Sequence, residues 1–401
     1  MGKLKPILNK VPEITLYFWV IKVLCTTVGE TAADFLNVNL NSGLVTTSIV
    51  TGILLFVALC FQFKASKYIP IIYWITVALV SVFGTLVTDN LTDRLGVRLE
   101  SSTILFATLL GLTFLFWYLH EKTLSIHSIF TRRREAFYWS AILFTFALGT
   151  AVGDLFAEGL GLGYVYTGLI VLCIIILTAV AWRMRMNSVL SFWVIYIMTR
   201  PLGASIGDYL SQSTDHGGLG LGSTITSVIF LATILIIVTY LSLTKKDVIP
   251  RVGTEYHDGY KETGAIWQTV VVIALFIIAG GTGYQVLHSK LQAEISSGVN
   301  ITTNDPIGVP GSKLGDMSTF RIITTDTLDK LNKGDQAGAT TRIGDLEYAW
   351  DKAQPVLKAR DSTPWSIVDG KIDTVLRELR AVRPNIPNEK NSLEDLLSTL
   401  R

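Results

Sequence analysis

The amino-acid sequence predicts an all-α membrane protein: four parallel two-helix repeats making eight spans, then a ninth span and an extracytoplasmic helical bundle. Three observations predict it: an uneven distribution of charge, a series of apolar stretches of membrane-spanning length, and a Trp–Gly–Asp spacing that recurs four times. The chain has 401 residues, of which 50% are hydrophobic and 16% charged, against roughly 25% charged residues in a soluble domain. Residues 288–401 hold 31 charged side chains and the first 287 residues hold 35. The body is thus far poorer in charge than the tail, and no basic domain remains that could bind nucleic acid. Cys25, Cys60 and Cys173 all lie in apolar runs, so no disulfide framework is expected. The five histidines are scattered without metal-ligand spacing, which disfavours a soft-metal site.

Nine stretches meet the length of about 20 mostly apolar residues that a span requires: 14–35, 44–63, 69–91, 102–119, 137–157, 163–182, 189–210, 223–243 and 266–287. Lys3, Lys5 and Lys10 lead directly into the first run, so it reads as a retained helix. The N-terminus and the loops after spans two, four, six and eight carry 15 Lys and Arg residues; the other loops before the tail carry only Arg94 and Arg98. Positive residues favour the cytoplasm, so the N-terminus is expected inside and the tail outside. Lys22 and Arg200 remain, both within spans, where an ionisable group is costly unless it faces a polar interior or pairs with a carboxylate.

The odd-numbered spans superimpose without gaps on Trp19, Trp74, Trp139 and Trp193. Ten residues after each stands a glycine (Gly29, Gly84, Gly149, Gly203), and fifteen after each an aspartate (Asp34, Asp89, Asp154, Asp208). Phe18, Tyr73, Tyr138 and Phe192 precede the tryptophans. A plainer apolar span follows each copy, so the unit is expected to be a hairpin, with units over about 14–63, 69–119, 137–182 and 189–243. Two crossings per unit make the repeats parallel. In this tandem arrangement with a shared tryptophan, residues 12–245 resemble a family of bacterial membrane proteins built of four copies of a repeat of unknown function. The resemblance implies the repeat architecture and a bacterial inner-membrane location.

At 100° per residue, positions 11, 15 and 19 after the tryptophan share one face. They include Glu30, the four aspartates, Asp93 and Glu158, with Lys22 and Arg200 on the same side. A carboxylate at a helix C-terminus is disfavoured by the helix dipole, and the aspartate persists where positions 11 and 19 have diverged. These features favour a functional acid over a solvated helix end. The tryptophans read as structural, in keeping with interfacial aromatic belts, and the glycines as packing residues. Lys22, Thr26, Glu30 and Asp34 form a ladder at four-residue spacing that could relay protons or bury an ion pair.

Five acids (Glu30, Asp34, Asp89, Asp154, Asp208) against two bases, without Cys or Met, suit protons or hard cations. The expected function is a proton-coupled transporter of a small cation, a divalent ion such as manganese or magnesium being favoured, with Glu30 and Asp34 the candidate metal ligands. An anion held by Lys22 and Arg200, a passive channel, and a sensor or scaffold anchoring the external bundle are the alternatives. No Walker, dinucleotide-binding or haem signature appears, so no cofactor and no enzymatic activity are expected. The expected partners are the lipid bilayer and a small ion or solute, with homo-oligomerisation possible. Downstream, 246–265 reads as a cytoplasmic loop, 266–287 as the ninth span, 288–315 as a Gly/Pro-containing linker, and 316–401 as four helices. Within these, Ile343, Leu346, Trp350, Ala353 and Leu357, and Trp365, Val368, Ile372, Val375 and Leu379, keep a 3-4-3-4 apolar spacing.

Overall fold

The structure, a computed structural model, describes residues 9–36, 43–95, 97–159, 162–211, 218–248, 265–297, 314–381 and 384–400. The described residues form helices and no strands. Residues 249–264 of the predicted 246–265 loop and most of the Gly/Pro linker fall outside them.

The repeats supply α1 (Leu16–Asp34), α2 (Gly43–Lys64), α3 (Pro70–Asp89), α4 (Leu99–Glu121), α5 (Arg132–Asp154), α6 (Gly163–Arg183), α7 (Ser188–Ser211) and α8 (Gly222–Thr244). Local chemistry sets the ends of several of these. The side chains of Thr15 and Thr131 accept hydrogen bonds from the backbone N–H of Phe18 and Arg134, capping α1 and α5. Pro70 opens α3, where its missing N–H costs nothing. Lys122 and Lys245 close α4 and α8 in the left-handed conformation.

The odd helices form an inner ring, α1 against α3, α3 against α5, α5 against α7 and α7 against α1, and the even helices fill the outside. The apolar windows of α3, α5 and α7 are 56–67% buried, whereas those of α2, α4, α6 and α8 are 17–22% buried. One expectation is corrected here. The unit is not a self-packed hairpin: α2, α4 and α6 pack chiefly on α3, α5 and α7, the inner helices of the following units, and α8 closes the circle on α1. Each unit thus leans head-to-tail on the next, and a heterologous contact repeated until it meets its own start gives a closed ring.

Among the described residues, eight helices are long and apolar enough to cross a membrane: α2 to α8 and a further helix, α9 (Ala265–Ser297). In α1, Lys22, Glu30 and Asp34 lower the hydropathy below that level. The helix nonetheless has the inner-ring place of α3, α5 and α7, and its polar residues point into the ring.

The helix α9 lies outside the ring, where Val272 packs beside Val194 and Met198 of α7, and Gln268 Oε1 accepts from the Asn187 N–H at 2.8 Å. It extends ten residues past the predicted end at 287, so the first part of the predicted linker is helical. Residues 288–297 contain neither Gly nor Pro, so nothing in their sequence interrupts the helix.

The tail forms α10 (Ser318–Asn332), α11 (Gln336–Arg360), α12 (Ser362–Leu379) and α13 (Ile386–Thr399). Their apolar stripes meet in a separate core, where Phe320, Trp350 and Trp365 pack among Ile343, Leu346, Val368, Ile372, Val375 and Leu393.

Candidate functional site: a polar axis between an aromatic ring and an acidic mouth

The Trp registration that aligns the repeats in sequence also builds the ring. Near the N-terminal end of the inner helices, the aromatic preceding each tryptophan packs on the tryptophan of the next unit. Phe18 meets Trp74 at 5.6 Å between ring centroids, Tyr73 meets Trp139 at 5.6 Å, Tyr138 meets Trp193 at 6.4 Å, and Phe192 closes on Trp19 at 5.6 Å. Tyr73 and Tyr138 also join through their hydroxyls at 2.6 Å. Trp74, Trp139 and Trp193 are buried between helices. The aromatic-belt reading is therefore corrected: these rings belong to inter-repeat packing, because the partner aromatic in the next unit offers a closer fit than the headgroup region.

The glycines serve the same contact ten residues further on. A Cβ on Gly149 would lie 2.5 Å from Arg200 Cβ and 2.6 Å from its Cγ, and one on Gly84 would lie 2.9 Å from Phe146 Cβ. One on Gly29 would collide with Ser81, and one on Gly203 with Thr26. Thr26, Ser81, Phe146 and Arg200 all stand seven residues after their tryptophans, so one glycine-to-next-unit contact is made four times around the ring.

Between these levels two cations cross the axis. Lys22 Nζ stands 3.7 Å from the centroid of Phe146, on the diagonally opposite helix, and 4.2 Å from that of Tyr196. It has no hydrogen-bond partner among the described residues. Such desolvated cation–π contacts are worth about 2 kcal/mol or more. One turn further toward the C-terminal ends, Arg200 is fully buried. Its Nη2 pairs with Glu30 Oε2 at 2.5 Å and donates to Thr85 Oγ1, and its Nη1 donates to the Thr26 carbonyl at 3.4 Å. Lys22 and Glu30 of the sequence ladder therefore do not pair with each other; Glu30 is taken by α7 and Lys22 by two rings.

The acids stand at the far end. Asp34, Asp89 and Asp154 are the last α-helical residues of α1, α3 and α5, and in each case the next turn widens into a π-helix: Phe35 and Leu36, Asn90–Arg94, and Leu155–Gly159. Short π segments concentrate at functional sites. Asp89 lies within electrostatic range of Asp93, Glu30, Asp154 and Asp34, and Asp34 within that of Glu30 and Arg200. Asp93 Oδ1 also accepts from Thr92 Oγ1 at 2.9 Å. Asp208 has the same register on α7, one turn before its end. Glu158 belongs to the third π segment, and its side chain falls outside the described residues. No group of three or more His, Cys, Asp or Glu among the described residues is arranged to hold a metal ion. The paired ligands Glu30 and Asp34 are thus not preassembled, since Glu30 already holds Arg200.

At the opposite pole lies a buried network that sequence reasoning missed. Lys10 pairs with Glu135 at 2.6 Å and donates to the Phe63 carbonyl at 3.2 Å; Gln62 Nε2 donates to the other Glu135 oxygen at 3.2 Å. Tyr68 donates to Asp247 Oδ2 at 2.5 Å, and the Glu13 N–H donates to the Asp247 carbonyl at 2.9 Å. Burial raises the Asp247 carboxyl above its ordinary range, and the hydrogen bond from Tyr68 opposes that shift. Glu135 follows Arg132–Arg134 in sequence, where it resembles an interfacial charge, and only the folded N-terminal segment makes it a core residue. The ring axis is polar in its middle and acidic at one end, and aromatic packing and this network lie at the other.

No curated protein and no solved structure matches the chain. The family model described as Repeat of Unknown Function (DUF347) matches residues 17–68, 72–123, 137–187 and 191–247, more than half of the chain and each match one inner helix with its following outer helix. The sequence and the ring of four units agree on one conclusion: the chain belongs to the DUF347 repeat family.

Proposed function

We propose that this membrane protein is a proton-coupled transporter of a small cation, a hard divalent ion such as manganese or magnesium being favoured. Its path runs along the axis of the inner ring from the acidic mouth toward the aromatic ring. The observation that carries this reading is the Arg200–Glu30 pair, a fully buried guanidinium on a half-buried carboxylate, set across the axis between the mouth acids and the aromatic packing. A structural pair would suffice at any helix contact, whereas this one occupies the route itself. In this reading the cation and Arg200 compete for Glu30. A cation arriving from Asp34 and Asp89 displaces the guanidinium, and protonation of the acids discharges the cation. The orientation follows the basic-residue bias: N-terminus in the cytoplasm of a bacterial inner membrane, nine spans, and α10–α13 outside. No cofactor is involved. Liposome flux tests the reading: metal uptake and the accompanying proton movement are expected to fall at least tenfold with Glu30→Gln, which also loses stability by leaving Arg200 unpaired, and to stay low in the double variant Arg200→Met with Glu30→Gln, in which most of that stability returns. Unchanged flux would remove it.

The second reading is a sensor whose repeats anchor the external bundle, and the bundle's direct contact with the mouth favours it. Under that reading, deleting residues 316–401 removes every phenotype; under the transporter reading, flux persists without them.

A further inference from the structure

The C-terminal bundle does not hang free of the membrane body. Its helix α12 packs on Asn90–Arg94, the π segment after α3, and α11 packs on Leu155–Gly159, the corresponding segment after α5, and on α9. These turns directly follow the mouth acids Asp89 and Asp154, and the first of them carries Asp93. At the contact, Lys358 of α11 reaches Asp93 Oδ1 at 3.8 Å. The lysine is 7% exposed and its Nζ stands 4.0 Å from the centroid of Trp365, so its ammonium is held by an aromatic ring behind and a carboxylate in front.

We propose that α10–α13 form a built-in cap over the acidic mouth, and that Lys358 is a tethered cation occupying Asp93 in place of a transported one. Because the cap belongs to the same chain, its docking is intramolecular and competes at high effective concentration. The inference deepens the transporter reading by adding regulation at its mouth, but its geometry stands without any flux.

The groups around the contact make the lock acid-favoured. Asp373 of α12 faces Asp93 and Asp34 across the contact, Glu347 of α11, Arg377 on its own helix and Arg380 just beyond its end. Asp369 faces Asp373, Asp93 and Lys358, and accepts from Trp350 Nε1 at 2.8 Å. Burial, reinforced by the neighbouring acids, pushes Asp373 up to about 7 and holds Asp369 well above the ordinary carboxylate range. A carboxyl whose pKa is raised in the docked state favours docking while it is protonated. That contribution declines as pH rises from the ordinary carboxylate range toward about 7, above which Asp373 is ionised beside Asp93 and Glu347. Within the range in which Asp93 stays ionised against Lys358, acid therefore closes the cap, and alkaline pH or cations at Asp93 open it.

Spin labels on the exposed positions Leu95 and Ile367, introduced as cysteines into the full chain with Cys25, Cys60 and Cys173 replaced by alanine, report the separation directly in lipid nanodiscs. The expected result is one narrow distance at pH 5.5 that broadens and lengthens at pH 8.5, and at pH 5.5 on adding millimolar manganese. Lys358→Glu is expected to reduce the docked-to-undocked ratio by about tenfold or more, and combining it with Asp93→Lys to restore docking. A distance distribution unmoved by pH, by manganese and by Lys358→Glu overturns the proposal, as does failure of the double reversal to restore it when both single variants fold. Flux is measured separately on the unsubstituted chain and on Glu30→Gln, so an unsubstituted protein that docks as expected but moves no cation, or whose flux Glu30→Gln leaves unchanged, removes the transporter reading and leaves the cap standing.

Discussion

Arg200 brings a full charge into the centre of the ring, and such a group is tolerated only because Glu30, Thr85 and the Thr26 carbonyl receive it. Removing one partner of a buried pair costs about 3–5 kcal/mol, whereas replacing both by uncharged groups of similar volume is often neutral. Arg200→Met is accordingly expected to lower the unfolding temperature in detergent, and the double variant Arg200→Met with Glu30→Gln to recover most of the loss; additive losses in thermal melts would show that the two side chains are not coupled. Lys22 has no hydrogen-bonding partner, only the Phe146 and Tyr196 rings, so Lys22→Met removes the cation–π attraction together with the cost of burying an ammonium, and is expected to change stability little while reducing flux. Asp34→Asn, Asp89→Asn, Asp154→Asn and Asp208→Asn are expected to fold and to lose transport, with Asp34 the most sensitive because Glu30 stands one turn away. Normal transport in all four would reduce the aspartate to an inherited packing feature. Sequence alone singles out Lys22 and Arg200, because a charge within a span stands out whatever its neighbours. It does not identify their partners, because α7 meets α1 only after four units have closed.

Among the helices, the repeated glycine decides how closely neighbours approach, and the structure separates glycines that matter from those that do not. At Gly149 an added methyl meets the root of the Arg200 side chain, which has no room to swing away. Gly149→Ala is therefore expected to destabilise by about 1–3 kcal/mol, the usual range for overpacking, and to disturb the Glu30 pair. A methyl added at Gly111 in α4 would meet nothing within 4 Å, so Gly111→Ala is expected to be neutral or to stabilise by up to about 1 kcal/mol through helix propensity. Comparable melting temperatures for the two variants would contradict the seam. The Trp–Gly–Asp register makes this contact foreseeable in kind, since a small residue at fixed spacing signals close approach. Its partner is not foreseeable. Consecutive spans read naturally as hairpins, but α2 has its groove on α3, and only the offset between Gly29 and Ser81, repeated at Gly84 and Phe146, reveals that each unit docks on the next.

For the whole molecule, the basic bias and the placement of the cap make linked claims about sidedness. A reporter fused after Arg401 is expected to be extracytoplasmic and one inserted near Arg133 cytoplasmic; the same compartment for both would refute the nine-span arrangement. The bundle itself has a core independent of the membrane body, with Trp350 and Trp365 stacked at 6.0 Å and Phe320 edge-on to Trp350 at 5.1 Å. Its stripes are legible in the sequence because a soluble amphipathic helix must separate its faces. Its docking is not, because Lys358, Asp369 and Asp373 look like ordinary solvated charges until α11 and α12 meet the π segments. Residues 314–401 alone are therefore expected to fold as a soluble helical domain by circular dichroism. In that fragment Asp373 loses Asp93 and the burial imposed by the mouth but keeps Arg377 and Arg380, so its carboxyl is expected to fall from about 7 to the ordinary carboxylate range near 4, as followed by carboxyl chemical shifts during an NMR titration. A random-coil spectrum would deny the bundle its autonomy. A folded fragment in which Asp373 still titrates near 7 would place the cause of its shift inside the bundle and take away the acid dependence of the cap.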